Sequence, residues 1–205
     1  MDFNNSKTKE NLAISFAAEC QAGARYQFIA TMAQTEKFIY IKDTMKMLAK
    51  NEMAHAKLFY DYIADKCGTV CKVDINADYP YVYNDLGNAL KENARIEKEE
   101  FDEIYPKFAQ VAEKEGFTDI AESFRLVSKV EQTHSKILKF LYDNYSKNTL
   151  YKRKLKWVVK CSNCGHLDYL TEGWKNCPLC NFEQGAIALD FSTQLQESLG
   201  IKPCK

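Results

Sequence analysis

Apolar side chains recur every three or four residues along four segments between residues 7 and 146, which is the spacing of one face of an α-helix. In every segment this apolar face is interrupted by acidic residues. The four faces run through Leu12, Phe16, Glu19, Gly23, Tyr26 and Ala30; Met45, Leu48, Glu52, His55, Phe59 and Tyr62; Leu86, Leu90, Asn93, Glu97, Glu100 and Ile104; and Ile120, Phe124, Val127, Glu131, His134, Leu138 and Leu141. The pattern predicts four amphipathic helices that carry acids on their buried faces.

The spacing between the segments predicts how the helices connect. Short connections join the first two helices and the last two, where Gly116 can end one helix and Thr118 can cap the next. Both pairs should therefore be antiparallel hairpins. The stretch from Cys67 to Asp85 is long enough to cross from one end of a bundle to the other, and a single long crossover is typical of ferritin-like four-helix bundles. Pro106 should kink the third helix just beyond its acids.

The acids on the buried faces need positive partners. An ionised carboxylate removed from water costs several kcal/mol unless it is paired, and neighbouring carboxylates repel one another. Two divalent ions would bring four positive charges against the five carboxylates and leave the interior close to neutral. These carboxylates are Glu19, Glu52, Glu97, Glu100 and Glu131.

Two of the helices carry the motif Glu-x-x-His, at Glu52–His55 and at Glu131–His134. Residues three apart project from the same face of a helix, and carboxylate and neutral imidazole are plausible ligands for iron or manganese. Di-metal carboxylate bundles take Glu-x-x-His from two helices and one Glu from each of the other two, a role that Glu19 and Glu97 can fill. One such motif is more often a surface pair or a hydrogen-bonded histidine, but two copies on buried faces predict a di-metal site.

A change of composition near residue 150 predicts a second domain. Gly and Pro are sparse before it, whereas residues 157–185 are rich in glycine and cysteine. We place a helical di-metal domain at residues 1–148 and a small metal-binding domain with a C-terminal tail at residues 149–205. The largely polar, basic stretch from Lys147 to Lys156 is interpreted as a linker. Four large apolar residues in the tail beyond residue 181 could pack on the bundle or on a partner chain.

Two Cys-x-x-Cys motifs, Cys161–Cys164 and Cys177–Cys180, can direct four thiolates at one tetrahedral ion. Tetrahedral sulfur coordination suits zinc or iron, so the ligands alone leave both open. A neighbouring di-iron site favours iron, because an iron tetrathiolate carries one electron at a time. Trp157, Tyr169 and Trp174 could surround this metal or form the core of the small domain.

Charge and composition exclude several classes of protein. Lys plus Arg equals Asp plus Glu at 28 each, so no global field would draw the chain onto nucleic acid or an anionic membrane. No apolar run approaches the roughly 18 residues of a membrane helix, and residues 1–23 lack the pattern of a signal peptide, so we expect a cytoplasmic protein. In that compartment the other cysteines, Cys20, Cys67, Cys71 and Cys204, should be free thiols. The chain has no Gly-x-Gly-x-x-Gly turn for binding a nicotinamide cofactor.

The motifs occur in the order Glu19 with Arg25-Tyr26, Glu52-x-x-His55, Glu97-x-x-Glu100 with Tyr105-Pro106, Glu131-x-x-His134 and the paired cysteines. This set resembles the rubrerythrin family over nearly the whole chain. The resemblance implies a mainly α fold, with a ferritin-like four-helix bundle followed by a small rubredoxin-like domain. It also implies three irons, two in the bundle and one held by Cys161, Cys164, Cys177 and Cys180, where zinc stays possible.

The resemblance assigns a role to each residue in the bundle. Glu52 and Glu131 would bridge the two irons, with Glu19 and Glu97 as terminal ligands and His134 on the second iron. His55 and Glu100 would be alternative ligands of one iron as the centre is reduced and oxidised. Tyr26 and Tyr105 could donate hydrogen bonds to ligand carboxylates or serve only as core residues.

The implied function is the reduction of hydrogen peroxide to water in defence against oxidative stress. Electrons would come from a separate reductase or rubredoxin, pass through the cysteine-bound iron and reach the di-iron site. A homodimer is expected, in which the cysteine domain of one subunit approaches the di-iron site of the other. Two alternatives stay open, a ferroxidase or iron-storage protein and a zinc-stabilised interaction module without enzymatic activity.

Overall fold

The computed structural model describes residues 2–68, 70–82, 85–183 and 187–188. The tail from residue 189 to 205, with its apolar positions and Cys204, lies outside the described residues, so its packing stays a prediction. The elements in the described residues are a 3-10 turn at Phe3–Asn5, the helices α1 (Lys7–Thr35), α2 (Ile39–Cys67), α3 (Leu86–Glu99), α4 (Tyr105–Glu115) and α5 (Thr118–Ser146), and the strands β1 (Lys152–Cys161), β2 (Leu167–Glu172) and β3 (Ile187–Ala188).

The helices form the two hairpins that the sequence predicts. α1 packs along α2, and α3 and α4 pack along α5. Ser6 caps α1 by accepting a hydrogen bond from the Lys9 N–H at 3.1 Å, and Asp85 caps α3 by accepting one from the Asn88 N–H at 2.8 Å. The described residues between α2 and α3 contain no helix or strand and form the long crossover. Within the described residues, no helix is long and apolar enough to cross a membrane.

The third helix is interrupted earlier than the sequence predicts. α3 ends at Glu99, and Glu100–Ile104 form a π-helical turn in which the Tyr105 N–H donates to the Glu100 carbonyl. Pro106 in the first turn of α4 has no N–H to donate, and its ring clashes with the carbonyl four residues before it, so the backbone there cannot keep α-helical hydrogen bonds. The irregular turn therefore includes Glu100, whereas the sequence places the kink beyond the acids.

Two other boundaries differ from prediction. Gly116 ends α4 with a left-handed φ of 89°, as predicted. Thr118 does not cap α5, because the capping position is occupied by Phe117, whose side chain packs into an apolar cluster and makes no capping hydrogen bond. The basic stretch at residues 147–156 is not all linker, because β1 begins at Lys152. The backbone of β1 pairs with β2, so the polar residues from Lys152 onward belong to a strand.

The strands form an antiparallel sheet in the order β2–β1–β3 within the described residues. Val159 of β1 and Ile187 of β3 are buried and belong to the same apolar cluster as residues near the ends of α1, α2 and α5. Trp157 and Trp174 pack against this cluster, so they contribute to a core that the sheet shares with the bundle. Tyr169, by contrast, is 59% exposed.

Two apolar clusters divide the interior of the bundle. The first contains Tyr26, Leu48, Leu90 and Leu138 together with the sheet residues, and the second contains Leu12, Phe59, Phe124 and their neighbours. Between these two clusters, the helices α1, α2, α3 and α5 contribute acids and histidines to the interior. This arrangement places a layer of buried polar groups across the middle of an otherwise apolar interior.

Candidate metal centres

Each of four helices contributes one buried glutamate to the polar layer. Glu19 projects from α1, Glu52 from α2, Glu97 from α3 and Glu131 from α5, and none is more than 3% exposed. Glu52 and Glu131 are each followed three residues later by a histidine on the same helix face. Of these histidines, His134 is buried and His55 is half-buried.

These side chains form two overlapping groups of potential ligands. One oxygen or nitrogen from each of Glu19, Glu52, His55 and Glu131 lies within 4.8 Å of the others, and the same holds for Glu52, Glu97, Glu131 and His134. Glu52 and Glu131 belong to both groups. Two carboxylates shared by two adjacent groups is the arrangement that a bridged pair of metal ions requires.

The shared carboxylates turn one oxygen toward each histidine. His134 Nδ1 lies 2.9 Å from Glu52 Oε1 and 2.8 Å from Glu131 Oε2, while His55 Nδ1 lies 3.1 Å from Glu52 Oε2 and 3.1 Å from Glu131 Oε1. Neighbouring ligand atoms around an octahedral ion with bonds of about 2.1 Å lie about 3 Å apart. The spacing therefore matches two ions, each reached by one oxygen of Glu52 and one of Glu131.

Several of the converging atoms have no hydrogen-bond partner. These buried atoms are His134 Nδ1, Glu52 Oε1, Glu97 Oε2 and both carboxylate oxygens of Glu131. An unpartnered buried polar atom costs about 1–3 kcal/mol, and a charged one costs more. Metal ions would satisfy these atoms together, and a set of carboxylates and imidazoles suits iron or manganese. The residues thus fit the di-iron centre that their sequence pattern implies.

The electrostatics of the layer favour proton binding when no metal compensates the acids. Burial, reinforced by the neighbouring carboxylates, raises the pKa of Glu19 to about 8 and that of Glu97 well above its usual range. Burial opposes charge on Glu52 as well, but the adjacent imidazoles of His134 and His55 hold its pKa at about 2. Against the effect of burial, the surrounding carboxylates raise the pKa of His55 to about 12 and raise that of His134. Without metal, these shifts favour protonated imidazoles and protonated single acids.

Metal loading is therefore expected to release protons and to weaken steadily as the pH falls from 8 to 6, because the ligands hold competing protons throughout this range. Binding must deprotonate His55, His134, Glu19 and Glu97, so about four protons should leave per loaded pair. Calorimetric titration of the metal-free protein with Mn²⁺ in buffers of different ionisation enthalpy measures this number. Release of fewer than about one proton, with equal affinity at pH 6 and pH 8, would contradict the assignment of these ligands.

Two buried tyrosines orient the single acids. Tyr26 donates a hydrogen bond to Glu97 Oε1, and Tyr105 donates one to Glu19 Oε1. Burial and the adjacent carboxylates raise the pKa of both phenols well above the usual value, so both stay protonated donors. A ligand carboxylate with one oxygen held in this way presents its other oxygen to the metal in a fixed direction. These hydrogen bonds favour an orienting role for both tyrosines over a role as core residues alone.

Glu100 lies beside the two groups but in neither of them among the described residues. It is half-buried at the start of the π-helical turn, and burial followed by repulsion from Glu97 raises its pKa well above the usual value. Repulsion from Glu19, Glu131 and Glu52 contributes as well. Its role as an alternative ligand stays a proposal.

The side chain of Asn51 contacts His134, which the sequence did not predict. Its side-chain nitrogen lies 3.3 Å from Nε2 of His134, the ring nitrogen that points away from the carboxylates. If His134 binds metal through Nδ1, Nε2 carries a proton, so the amide of Asn51 must be turned with its oxygen toward the ring. No motif marks this contact, because Asn51 lies on α2 and His134 on α5.

Asn51→Leu is expected to lower iron affinity about tenfold, because the ring of His134 loses the acceptor that fixes its orientation. Asn51→Asp keeps an acceptor at the same position and should retain most of the affinity. Competition with a metal-ion chelator under anaerobic conditions measures both variants. Equal affinity in Asn51→Leu and the unaltered protein would rule out this orienting role.

The four paired cysteines form a second centre. Gly165 donates its N–H to the Cys161 carbonyl at 2.9 Å, and Asn181 donates its N–H to the Cys177 carbonyl at 2.8 Å. Each turn closes through a residue with left-handed backbone, φ 77° at Gly165 and 59° at Asn181. The two motifs therefore fold as matching loops that face each other.

The sulfur atoms are spaced for a tetrahedral ion. Cys161 Sγ lies 3.7 Å from Cys180 Sγ, and Cys164 Sγ lies 3.7 Å from Cys177 Sγ. A disulfide needs about 2.05 Å, whereas the edge of a tetrahedron with metal–sulfur bonds of about 2.3 Å is about 3.75 Å. Asn163 donates to Cys180 Sγ at 3.6 Å, and this hydrogen bond lowers the pKa of that thiol to about 6. The site suits one iron or one zinc ion.

The remaining cysteines behave as predicted where the structure describes them. Cys20, Cys67 and Cys71 are free thiols, and none of them belongs to a group of potential metal ligands in the described part of the chain. Cys204 lies outside that part.

The fold and its sites define a ferritin-like bundle protein with a candidate di-iron site of carboxylates and histidines and a rubredoxin-like cysteine domain. The family model for rubrerythrin matches residues 10–142, and the chain belongs to the rubrerythrin family. Over 176 residues, 85% of the chain, it is 37% identical to rubrerythrin of Clostridium perfringens and 36% identical to rubrerythrin-1 of Clostridium acetobutylicum, covering 90% of each. A fully reduced, all-ferrous nigerythrin structure matches 91% of this chain and 90% of its own, with 24% identity and a TM-score of 0.60, which supports the fold.

Proposed function

We propose that this protein is a di-iron peroxidase that reduces hydrogen peroxide to water and so protects the cell from oxidative stress. The observation that carries the proposal is the presence on one chain of two ligand groups sharing Glu52 and Glu131 and of a four-thiolate site. A reduced iron pair supplies two electrons together, the number needed to cleave one peroxide O–O bond. Members of the rubrerythrin family are oxidoreductases, which agrees with this reading.

The side chains of the bundle would hold and orient the iron pair. Glu52 and Glu131 would give one oxygen to each position, with His134 Nδ1 completing one of them. Glu19 and Glu97 would each serve one position, fixed by the hydrogen bonds from Tyr105 and Tyr26. The apolar clusters on both sides of the layer would exclude bulk water and strengthen these interactions.

His55 and Glu100 would be alternative ligands at one position, as the resemblance to rubrerythrins implies. The two side chains approach the polar layer from different helices, and Glu100 begins a π-helical turn whose hydrogen bonds do not follow the α-helical pattern. Such turns occur frequently at functional sites. The backbone irregularity supports a carboxylate whose position can differ between the oxidised and reduced centre.

The cysteine domain would relay electrons one at a time from a separate reductase or rubredoxin. From His134 to the end of α5 at Ser146 there are twelve residues, or about 18 Å at about 1.5 Å per residue, and the sheet lies beyond that end. The sheet packs on the apolar cluster at this end of the bundle. The resemblance to rubrerythrins supports a homodimer in which each cysteine domain serves the di-iron site of the partner.

Oxidation of the iron-loaded, chemically reduced protein by hydrogen peroxide tests the proposal. We expect one peroxide to be consumed per iron pair, and many turnovers when a reductase and rubredoxin supply electrons. An iron-storage protein would instead keep taking up and oxidising added Fe²⁺, at a rate that Cys161→Ser does not change. Zinc at the cysteines and a bundle that takes up no iron on anaerobic reconstitution would support a zinc-stabilised interaction module.

A further inference from the structure

A cavity of about 320 Å³ lies between α1, the crossover and the segment from α3 to α4. Tyr79 and Pro80 of the crossover line one side of it, and the Tyr79 hydroxyl donates to the Ile14 carbonyl at 3.3 Å, which fixes this part of the crossover on α1. Glu100 and Tyr105 also line the cavity. Since Tyr105 donates to Glu19, the cavity borders the candidate di-iron site.

The cavity combines apolar walls with polar and charged side chains, which are Gln21, Arg25, Asp78, Arg95, Glu99 and Glu100. Ser15 lines the cavity as well, but its hydroxyl oxygen is buried in the protein and does not face the open space. A ligand with one polar group can place that group among the polar side chains. The apolar residues that line the cavity are Ile14, Ala18, Ile96, Ile104 and Phe108.

The volume of the cavity far exceeds what hydrogen peroxide needs. One water occupies about 30 Å³ in the liquid, and hydrogen peroxide is only slightly larger, so the space is on the order of ten such molecules. Pockets that bind small organic ligands begin at about 300 Å³ and are mostly apolar, with a few polar groups that fix orientation. Its size, its apolar walls and the polar side chains beside them match a ligand with a short hydrocarbon group and one polar end.

We propose that this cavity binds small organic hydroperoxides, with the hydrocarbon group against the apolar wall and the hydroperoxyl group beside Glu100. The inference rests on the proposed peroxidase function and widens its substrate class. The O–O bond of ROOH breaks, two electrons from the reduced iron pair and two protons from solvent enter, and the products are ROH and water. The external reductase or rubredoxin then restores the two electrons.

Binding of 2-phenyl-2-propanol, the alcohol product of cumene hydroperoxide, tests the cavity without any turnover. Ala18→Leu fills part of the cavity, whereas Ala17→Leu is the matched control, because Ala17 faces a different groove on the same helix. By calorimetry, the unaltered protein and Ala17→Leu should bind the alcohol, and Ala18→Leu should bind at least about tenfold more weakly. Ile14→Phe blocks the same cavity from another position and replaces Ala18→Leu if that variant fails to fold.

Stopped-flow oxidation of the reduced, iron-loaded proteins gives the second readout. Ala18→Leu should slow oxidation by cumene hydroperoxide at least about tenfold and change oxidation by hydrogen peroxide less than about twofold. No alcohol binding to the unaltered protein, or equal binding to both leucine variants, would overturn the inference. If hydrogen peroxide itself is not reduced, the proposed function fails, and the alcohol titration still decides whether the cavity binds this class of molecule.

Discussion

Glu131→Gln is expected to empty the bundle of iron while the cysteine site stays filled. Glutamine keeps the size of the side chain but removes the charge that reaches both histidines, with Oε1 at 3.1 Å from His55 Nδ1 and Oε2 at 2.8 Å from His134 Nδ1. Both metal positions lose a ligand in one substitution. Iron should fall from about three ions per chain to about one, and peroxide turnover should fall at least about 100-fold.

Glu122→Gln is the matched control for this change. Glu122 lies on the same helix, its side chain is 56% exposed, and it pairs with Arg125 at the surface. We expect it to keep full iron content and turnover. Metal analysis and the visible spectrum after anaerobic reconstitution measure both variants, and circular dichroism shows whether each is folded. A Glu131→Gln protein that retains two irons in the bundle would show that this carboxylate does not bridge them.

The ligand layer was predictable because burying an uncompensated charge is so unfavourable. An acid on an apolar helix face has few explanations, and four helices with such acids leave metal binding as the simplest one. The helical period then fixes which residues share a face, so Glu52 with His55 and Glu131 with His134 could be paired before any fold was known. The structure brings all of these residues into two overlapping groups.

Contacts between different helices were harder to predict from the sequence. Asn51 reaches His134 across 83 positions of sequence, and no local pattern distinguishes it from a solvated polar residue. The cavity is assembled from α1, the crossover and α3–α4, so Ser15 and Phe108 acquire a common role only after folding. The π-helical turn that begins at Glu100 precedes Pro106, and the proline alone indicates a break without giving its position.

The cysteine domain shows a similar limit. The spacing of the cysteines determines the two facing loops, since each needs a left-handed residue directly after its second cysteine, and Gly165 and Asn181 supply it. Spacing carries no information on where the domain sits. The burial of Val159 and Ile187 in the first apolar cluster of the bundle is a tertiary contact, and it fixes the sheet on the bundle.

Cys164→Ser is expected to leave the bundle irons in place and to slow peroxide turnover supported by reductase and rubredoxin about 30-fold or more. The serine removes one of four thiolates, with Sγ at 3.7 Å from Cys177 Sγ, so the relay site loses its iron or its redox properties. Single-turnover oxidation of the chemically reduced protein needs no relay and should change less than about twofold. The difference between the two assays is the signature of a relay.

Cys67→Ser provides the matched control, because Cys67 is a free thiol outside the candidate metal groups of the described residues. Both of its rates should equal those of the unaltered protein. Equal steady-state turnover in Cys164→Ser and Cys67→Ser would mean that electrons enter the bundle by another path. If single-turnover oxidation fell together with steady-state turnover, the cysteine site would instead be required for the integrity of the bundle, because only a structural role lowers both rates at once.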